Sequence, residues 1–247
     1  RRQLILFDLK NYNDMAIISL KNVEKVYEEG AVPVHAVNGI DLEIDKGEFT
    51  AIVGPSGSGK TTLLNLIGGL DQPSKGDIEV GGTIVTKLKP ADLIEFRLKN
   101  IGFVFQAYNL IPVLTAEENV EFTMQLQGKS KKERQARVKE LMESVGLGDR
   151  LHDKPTQLSG GQQQRVAVAR ALSTKPKFVL ADEPTANLDS KSTETLLDIM
   201  EKLNKQENIT FIFSTHDARV IRKARRVITI EDGKVLKDER KNTEPAV

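Results

Sequence analysis

Gly54-Pro-Ser-Gly-Ser-Gly-Lys60-Thr61-Thr62 sets glycines, small hydroxyl side chains and one lysine in the spacing G-x-x-x-x-G-K-[ST]. Glycine lets successive backbone N–H groups converge on phosphate oxygens, and a following helix adds the positive end of its dipole. In that arrangement Lys60 reaches the outer phosphates of a nucleoside triphosphate, and the Thr61 hydroxyl offers a ligand to Mg²⁺. Gly54, Pro55, Ser56, Gly57, Ser58, Gly59, Lys60, Thr61 and Thr62 are therefore a candidate nucleotide cradle. The competing reading is a chance Gly/Ser loop. A strand before it and a helix after it are the context that reading lacks.

Two carboxylates close the apolar run Phe178-Val-Leu-Ala-Asp182-Glu183. Side chains alternate along a strand, so these neighbours cannot share one task. Asp182 is the candidate on the Mg²⁺ side, acting through water, and Glu183 the candidate base for an attacking water. Leu158-Ser159-Gly160-Gly161-Gln162 precedes the helical run Gln163–Ser173. Ser159 is a favourable N-cap, and the glycines permit an anion to approach exposed N–H groups. Taken alone, that motif reads equally as a capped helix binding nothing.

Three further side chains gain weight only as a set. Gln106 follows the short strand pattern Gly102–Phe105 and could touch the Mg²⁺ shell or the attacking water. His216 follows Ile209–Ser214 and could meet a γ-phosphate, and Tyr27 could stack on adenine. Singly they read as a surface amide, a capping histidine and a packing aromatic.

The elements that must position these groups are legible as alternating patterns. Ile17–Lys21, Val37–Ile44 and Phe49–Val53 are β-type runs, and Lys60–Gly68 has a helical pattern. Ile78–Val85 reads as a hairpin, so antiparallel strands accompany a parallel core. Between Pro90 and Gly160 the character becomes mostly helical, with Val138, Leu141, Met142 and Val145 on one face and Gly146 as a stop. Continuous apolar runs return at Phe178–Asp182 and Ile209–Ser214, as in strands buried on both sides. Leu196, Ile199, Met200 and Leu203 form a core stripe between them. Arg226–Ile230 and Lys234–Leu236 form a closing hairpin, and the polar tail beyond Lys237 is expected to fray.

Bulk composition narrows the partners. The chain has 247 residues, with 36 basic and 35 acidic side chains for a net charge of +1. That balance gives no electrostatic reason to expect nucleic acid or an anionic surface as the main partner. With no cysteine there is neither a disulfide framework nor thiolate metal ligation. No apolar stretch approaches the ~18–20 residues that cross a bilayer. Met15 reads as a native start, with residues 1–14 as an extension and 15–247 as one domain carrying a helical insertion over approximately 91–160.

In the order Tyr27, Gly54–Thr62, Gln106, Leu158–Gln162, Asp182-Glu183, Asn187-Leu-Asp189 and His216, the set resembles the ATP-binding-cassette (ABC) ATPase family from Met15 to Val235. The resemblance implies an α/β fold: a P-loop NTPase, RecA-like core, an antiparallel β subdomain and an inserted helical subdomain. It implies Tyr27 as adenine platform, Gln106 as the link between Mg²⁺ and a membrane-protein contact surface, and Ser159, Gly160, Gly161 and Gln162 as binders of ATP held by a second copy. Asp189 would communicate across that dimer, and His216 would sense the γ-phosphate beside Glu183. One departure is Ala186, where many members carry Ser or Gly.

Gly68-Gly-Leu-Asp71, Phe103-Val-Phe-Gln106, Leu114-Thr-Ala-Glu-Glu-Asn119 and Ala181-Asp-Glu-Pro-Thr185 look like the lipoprotein-release, macrolide-export and cell-division branch. The implied protein is a Mg·ATP-hydrolysing homodimer on the cytoplasmic face of a membrane. It would drive a separate permease docked near Phe103–Val120, with Tyr108, Leu110 and Ile111 as contact candidates. Rival readings are a soluble ABC protein acting on nucleic acid or ribosomes, and a regulatory module that holds ATP without hydrolysing it. The cargo is not written in this chain.

Overall fold

The computed structural model describes residues 16–28 and 32–241. The expected start at Met15 and the extension 1–14 lie outside the described residues.

Phe49–Val53 (β3) is apolar at nearly every position because both its faces are covered. It pairs in parallel with β8 (Thr210–Ser214) on one side and β9 (Arg226–Glu231) on the other. Beyond β8 lie β7 (Phe178–Asp182) and β6 (Ile101–Phe105), also parallel, and β10 (Lys234–Arg240) closes the opposite edge antiparallel to β9. The resulting six-stranded order is β10-β9-β3-β8-β7-β6. A second, four-stranded antiparallel sheet has the order β2-β1-β4-β5, from Ile18–Tyr27 (β1), Val34–Ile44 (β2), Lys75–Val80 (β4) and Thr83–Ile84 (β5).

Alternation along the central strands divides the core in two. Phe178, Leu180 and Ile212 pack with α1 (Lys60–Ile67) and the antiparallel sheet. Val179, Ala181, Phe211 and Phe213 face the other way, toward α3 (Ala116–Leu126), α4 (Lys131–Ser144), α5 (Gly160–Leu172) and α6 (Ser190–Glu207). On that second side Phe49 sits 4.7 Å from Phe213 and 5.8 Å from Phe211, ring centre to ring centre. Truncating such a ring to alanine costs about 3–5 kcal/mol. The remaining α-helices among the described residues are α2 (Pro90–Asn100) and α7 (Ala218–Lys223).

Three expectations are corrected. The interval 91–160 contains β6, which is hydrogen-bonded to β7 in the main sheet, so the purely helical part begins only at α3. The first residues beyond Lys237 do not fray: β10 continues to Arg240. Arg226, 7% exposed, donates to Asp238 at 2.8 and 2.7 Å and to Glu48 at 2.9 Å, which anchors an otherwise polar strand. That guanidinium holds the Asp238 carboxyl below its ordinary pKa. Finally α5 starts at Gly160, not Gln163, because Ser159 caps it.

Candidate active site

Parallel register sets the site. Phe105 pairs with Asp182, Asp182 with Ser214, and Ser214 with Ile52. The carboxyl ends of four strands therefore stop in one row, where α/β sheets place their ligands. Gln106, Glu183 and Thr215 each stand one residue beyond that row.

Two positions of the loop after β3, Gly54 and Gly59, admit only glycine. A Cβ on Gly54 would lie 2.0 Å from the Ile230 carbonyl oxygen, and one on Gly59 2.1 Å from that of Ala36. Gly59 is the N-cap of α1 and supplies no side-chain acceptor. By contrast α3, α4, α5 and α6 are capped by Thr115, Ser130, Ser159 and Asp189. The first amides of α1 thus keep their hydrogen-bonding capacity and their positive dipole end. Lys60, 9% exposed, donates to the carbonyls of Gly54 at 3.0 Å and Pro55 at 2.8 Å, with no carboxylate taking its charge there. The buried Ser58 hydroxyl has no protein partner. Uncapped amides, a buried ammonium and an orphaned hydroxyl together fit a polyphosphate.

These groups open on a cleft of about 780 Å³, lined also by Tyr27, Gln106, Glu183 and His216. Thr61 donates to both Asp182 oxygens, at 3.1 and 3.2 Å. A hydroxyl and a carboxylate are hard oxygen ligands suited to Mg²⁺ beside phosphate oxygens. Among the described residues there is no group of three or more His, Cys, Asp or Glu that could hold a metal by itself.

Glu183 is held from three directions. His216 Nδ1 lies 2.8 Å from Oε1, Thr215 donates to Oε2 at 3.3 Å, and the Glu183 N–H donates to the Ser214 carbonyl at 2.9 Å. Its φ of +44° is unusual for a side-chain-bearing residue, and such strain concentrates at functional positions. Asp217 steadies the same turn. It accepts from Thr185 at 2.8 Å and from the Arg219 backbone and guanidinium, and the Arg219 side chain first of all lowers its pKa to about 2.

Tyr27 donates to Asp71 at 2.8 Å, and the Lys25 ammonium stands 4.8 Å from its ring centre. Burial and that hydrogen bond raise the phenol pKa. Gln106 and Asn187 exchange amide contacts, Gln106 Nε2 to Asn187 Oδ1 at 3.4 Å and Asn187 Nδ2 to the Gln106 carbonyl at 3.1 Å.

Ser159, Gly160, Gly161 and Gln162 do not line the cleft. Ser159 and Gln162 form a reciprocal capping box, at 2.8 and 3.3 Å, on an exposed helix tip. Added Cβ atoms on Gly160 and Gly161 would each come within 2.7 Å of a hydroxyl, that of Tyr108 and that of Ser192. Ser192 donates in turn to Asp189 at 2.6 Å, which lowers the Asp189 pKa.

An apolar groove of about 450 Å³ runs past Ile94, Phe103, Phe105, Ile111, Phe122 and Leu126. Of the three contact candidates only Ile111 lines it. Tyr108 turns its hydroxyl to the Asn187 carbonyl, 3.5 Å away, and Leu110 packs on the core.

Sequence reasoning assigned no role to Asp71, Thr215, Asp217 or Thr185. The acidic and hydroxyl residues flanking His216 and Glu183 were the available signal.

A parallel sheet carrying a glycine cradle and paired carboxylates at its strand ends, beside an antiparallel sheet and a helical segment, defines an ATP-binding cassette ATPase. The ABC transporter family profile matches residues 37–186, and the chain belongs to that family. It is 48% identical over 225 residues to an uncharacterized ABC transporter ATP-binding protein of Thermotoga maritima, covering 91% of this chain and 96% of that one. It is also 48% identical to the macrolide export ATP-binding/permease protein MacB of Hyphomonas neptunium, but covers only 34% of that longer protein. A solved dimeric cassette, MJ0796 in a post-hydrolysis state bound to ADP and Pi, superposes with a TM-score of 0.83 at 44% identity, over 90% of this chain and 98% of that one.

Proposed function

We propose that two copies of this ATPase close over two Mg·ATP and work a membrane permease. One observation carries the reading. The cleft contains the groups for phosphate binding and water activation, while Ser159–Gln162 presents its helix tip elsewhere. A second copy supplies that tip, and the dimeric form of the similar MJ0796 cassette supports this arrangement.

Lys60 and the α1 amides hold the phosphates, and Tyr27 packs against the base. Thr61, Asp182 and Gln106 would hold Mg²⁺, whose charge offsets that on the phosphate oxygens. Glu183 takes the proton of the attacking water, and His216 orients that carboxylate. Catalysis of this kind is chiefly positioning and charge stabilisation.

No helix among the described residues is long and apolar enough to cross a membrane. The apolar groove from Ile94 to Leu126, overlapping Phe103–Val120, fits a short helix of a membrane protein. Docking of that kind is the support for reading the cassette as working at the cytoplasmic face of a membrane. The MacB likeness supports export or envelope-directed work. Size-exclusion chromatography of Glu183→Gln with Mg·ATP tests the pairing. A dimer is expected, lost on adding Ser159→Arg; a Glu183→Gln protein that stays monomeric at saturating ATP refutes it.

A further inference from the structure

Just beyond Gln106 the chain adopts a costly conformation. Tyr108 and Asn109 are consecutive non-glycine residues at φ +60° and +50°. Left-handed backbone is sterically unfavourable for such residues, somewhat less so for Asn. Neither belongs to a regular element, since β6 ends at Phe105 and α3 begins at Ala116.

One distant side chain grips both. Arg170 of α5 donates through Nη2 to the Tyr108 carbonyl at 2.8 Å and through Nη1 to the Asn109 carbonyl. A rigid guanidinium fork can span adjacent carbonyls, whereas a lysine ammonium has no fixed fork. Burial lowers the Arg170 pKa, and its partners here are backbone dipoles in place of a carboxylate. Such a cation is committed to the loop it holds. Arg170 also lines the apolar groove beside Phe105, Asn109 and Ile111, and is absent from the lining of the nucleotide cleft.

We infer that Arg170 is a positioning residue: by clamping the left-handed Tyr108–Asn109 turn it fixes Gln106 for hydrolysis and ties that glutamine to the groove. The inference rests on the role proposed above for Gln106. Without the clamp the turn relaxes toward ordinary negative φ, and the backbone leaving Gln106 moves with it. Lys60, the α1 amides and Tyr27 do not depend on the clamp, so nucleotide affinity is preserved.

The test is a double-mutant cycle on steady-state ATP hydrolysis by the full chain, using Arg170→Lys, Gln106→Ala and the pair. Arg170→Lys should lower kcat about tenfold with KM for ATP within about twofold, and should lower it no further in the Gln106→Ala background. Amide hydrogen exchange at residues 108–111 should quicken while α5 keeps its protection. Asn109→Gly should restore part of the lost rate, because glycine takes positive φ without steric penalty.

If Gln106→Ala leaves kcat unchanged, the role of Gln106 fails and this inference with it. If Gln106→Ala slows turnover but the two effects multiply, Arg170 acts by general loosening and only this inference falls. An unchanged kcat in Arg170→Lys overturns it too. Should Arg170→Lys melt early, Arg170→Met in the Asn109→Gly background repeats the cycle, and lack of rescue there counts against the clamp.

Discussion

His216 Nδ1 stands 2.8 Å from Glu183 Oε1 while the Thr215 hydroxyl holds the other oxygen, so one carboxylate is fixed at both ends where the strands stop. Glu183→Gln keeps the shape of that arrangement and removes the proton acceptor. Turnover should fall by ~10²–10⁴ with ATP binding retained. Stopped-flow nucleotide binding beside steady-state phosphate release checks this, and wild-type turnover would remove Glu183 from the mechanism.

His216→Ala should lower kcat and leave KM for ATP nearly unchanged, since the histidine orients Glu183 and is not part of the phosphate cradle. A rise in KM alone would reassign His216 to nucleotide binding.

Asp217 links Thr185 to the turn that carries His216, and its carboxyl is held at about 2 against an ordinary 3.8. A depressed folded-state pKa stabilises above the unfolded value and loses that contribution as pH falls through the folded one. Stability should therefore decline between roughly pH 4 and 2 in the wild type through this group. Asp217→Asn should abolish that component and cost about 1–2 kcal/mol at neutral pH. Urea melts at several pH values measure both; a pH slope retained in the variant would assign it elsewhere.

Gly54 and Gly57 separate crowding from backbone strain. Gly54→Ala drives a methyl to 2.0 Å from the Ile230 carbonyl oxygen, whereas Gly57, at φ +79°, has open space around its Cβ position. Gly57→Ala should cost only about 1 kcal/mol, and Gly54→Ala distinctly more with loss of ATP binding. Equal melting temperatures would contradict the geometry.

Phe122 is 38% and Leu126 60% exposed on the groove wall. Phe122→Glu with Leu126→Glu should reduce recovery of a membrane partner and partner-stimulated turnover by more than basal turnover. Co-purification from detergent extracts, with both rates measured, decides it.

The glycine loop and the Asp182-Glu183 pair were legible because their chemistry sits in contiguous residues. Their alignment was not, because it depends on which strand pairs with which and in what register. Tyr27 meets Asp71, and Gln106 meets Asn187, across long separations in the chain that no local spacing encodes. Tyr108, a contact candidate within Phe103–Val120, does not line the apolar groove: its left-handed backbone, which no local pattern encodes, turns its hydroxyl to the Asn187 carbonyl. The start of β10 at Lys234–Leu236 was legible as half of a hairpin, but its extension to Arg240 was not, because ion pairs to Arg226, not apolar burial, hold that polar end.

The one helix at the cleft that lacks a side-chain cap, α1, leaves the domain's tolerance to heat partly in the hands of its substrate. Whatever anion completes those amides also strengthens the native state, by an increment that grows with the logarithm of its concentration. A cell depleted of nucleotide would thus idle this ATPase and at the same moment make it easier to unfold.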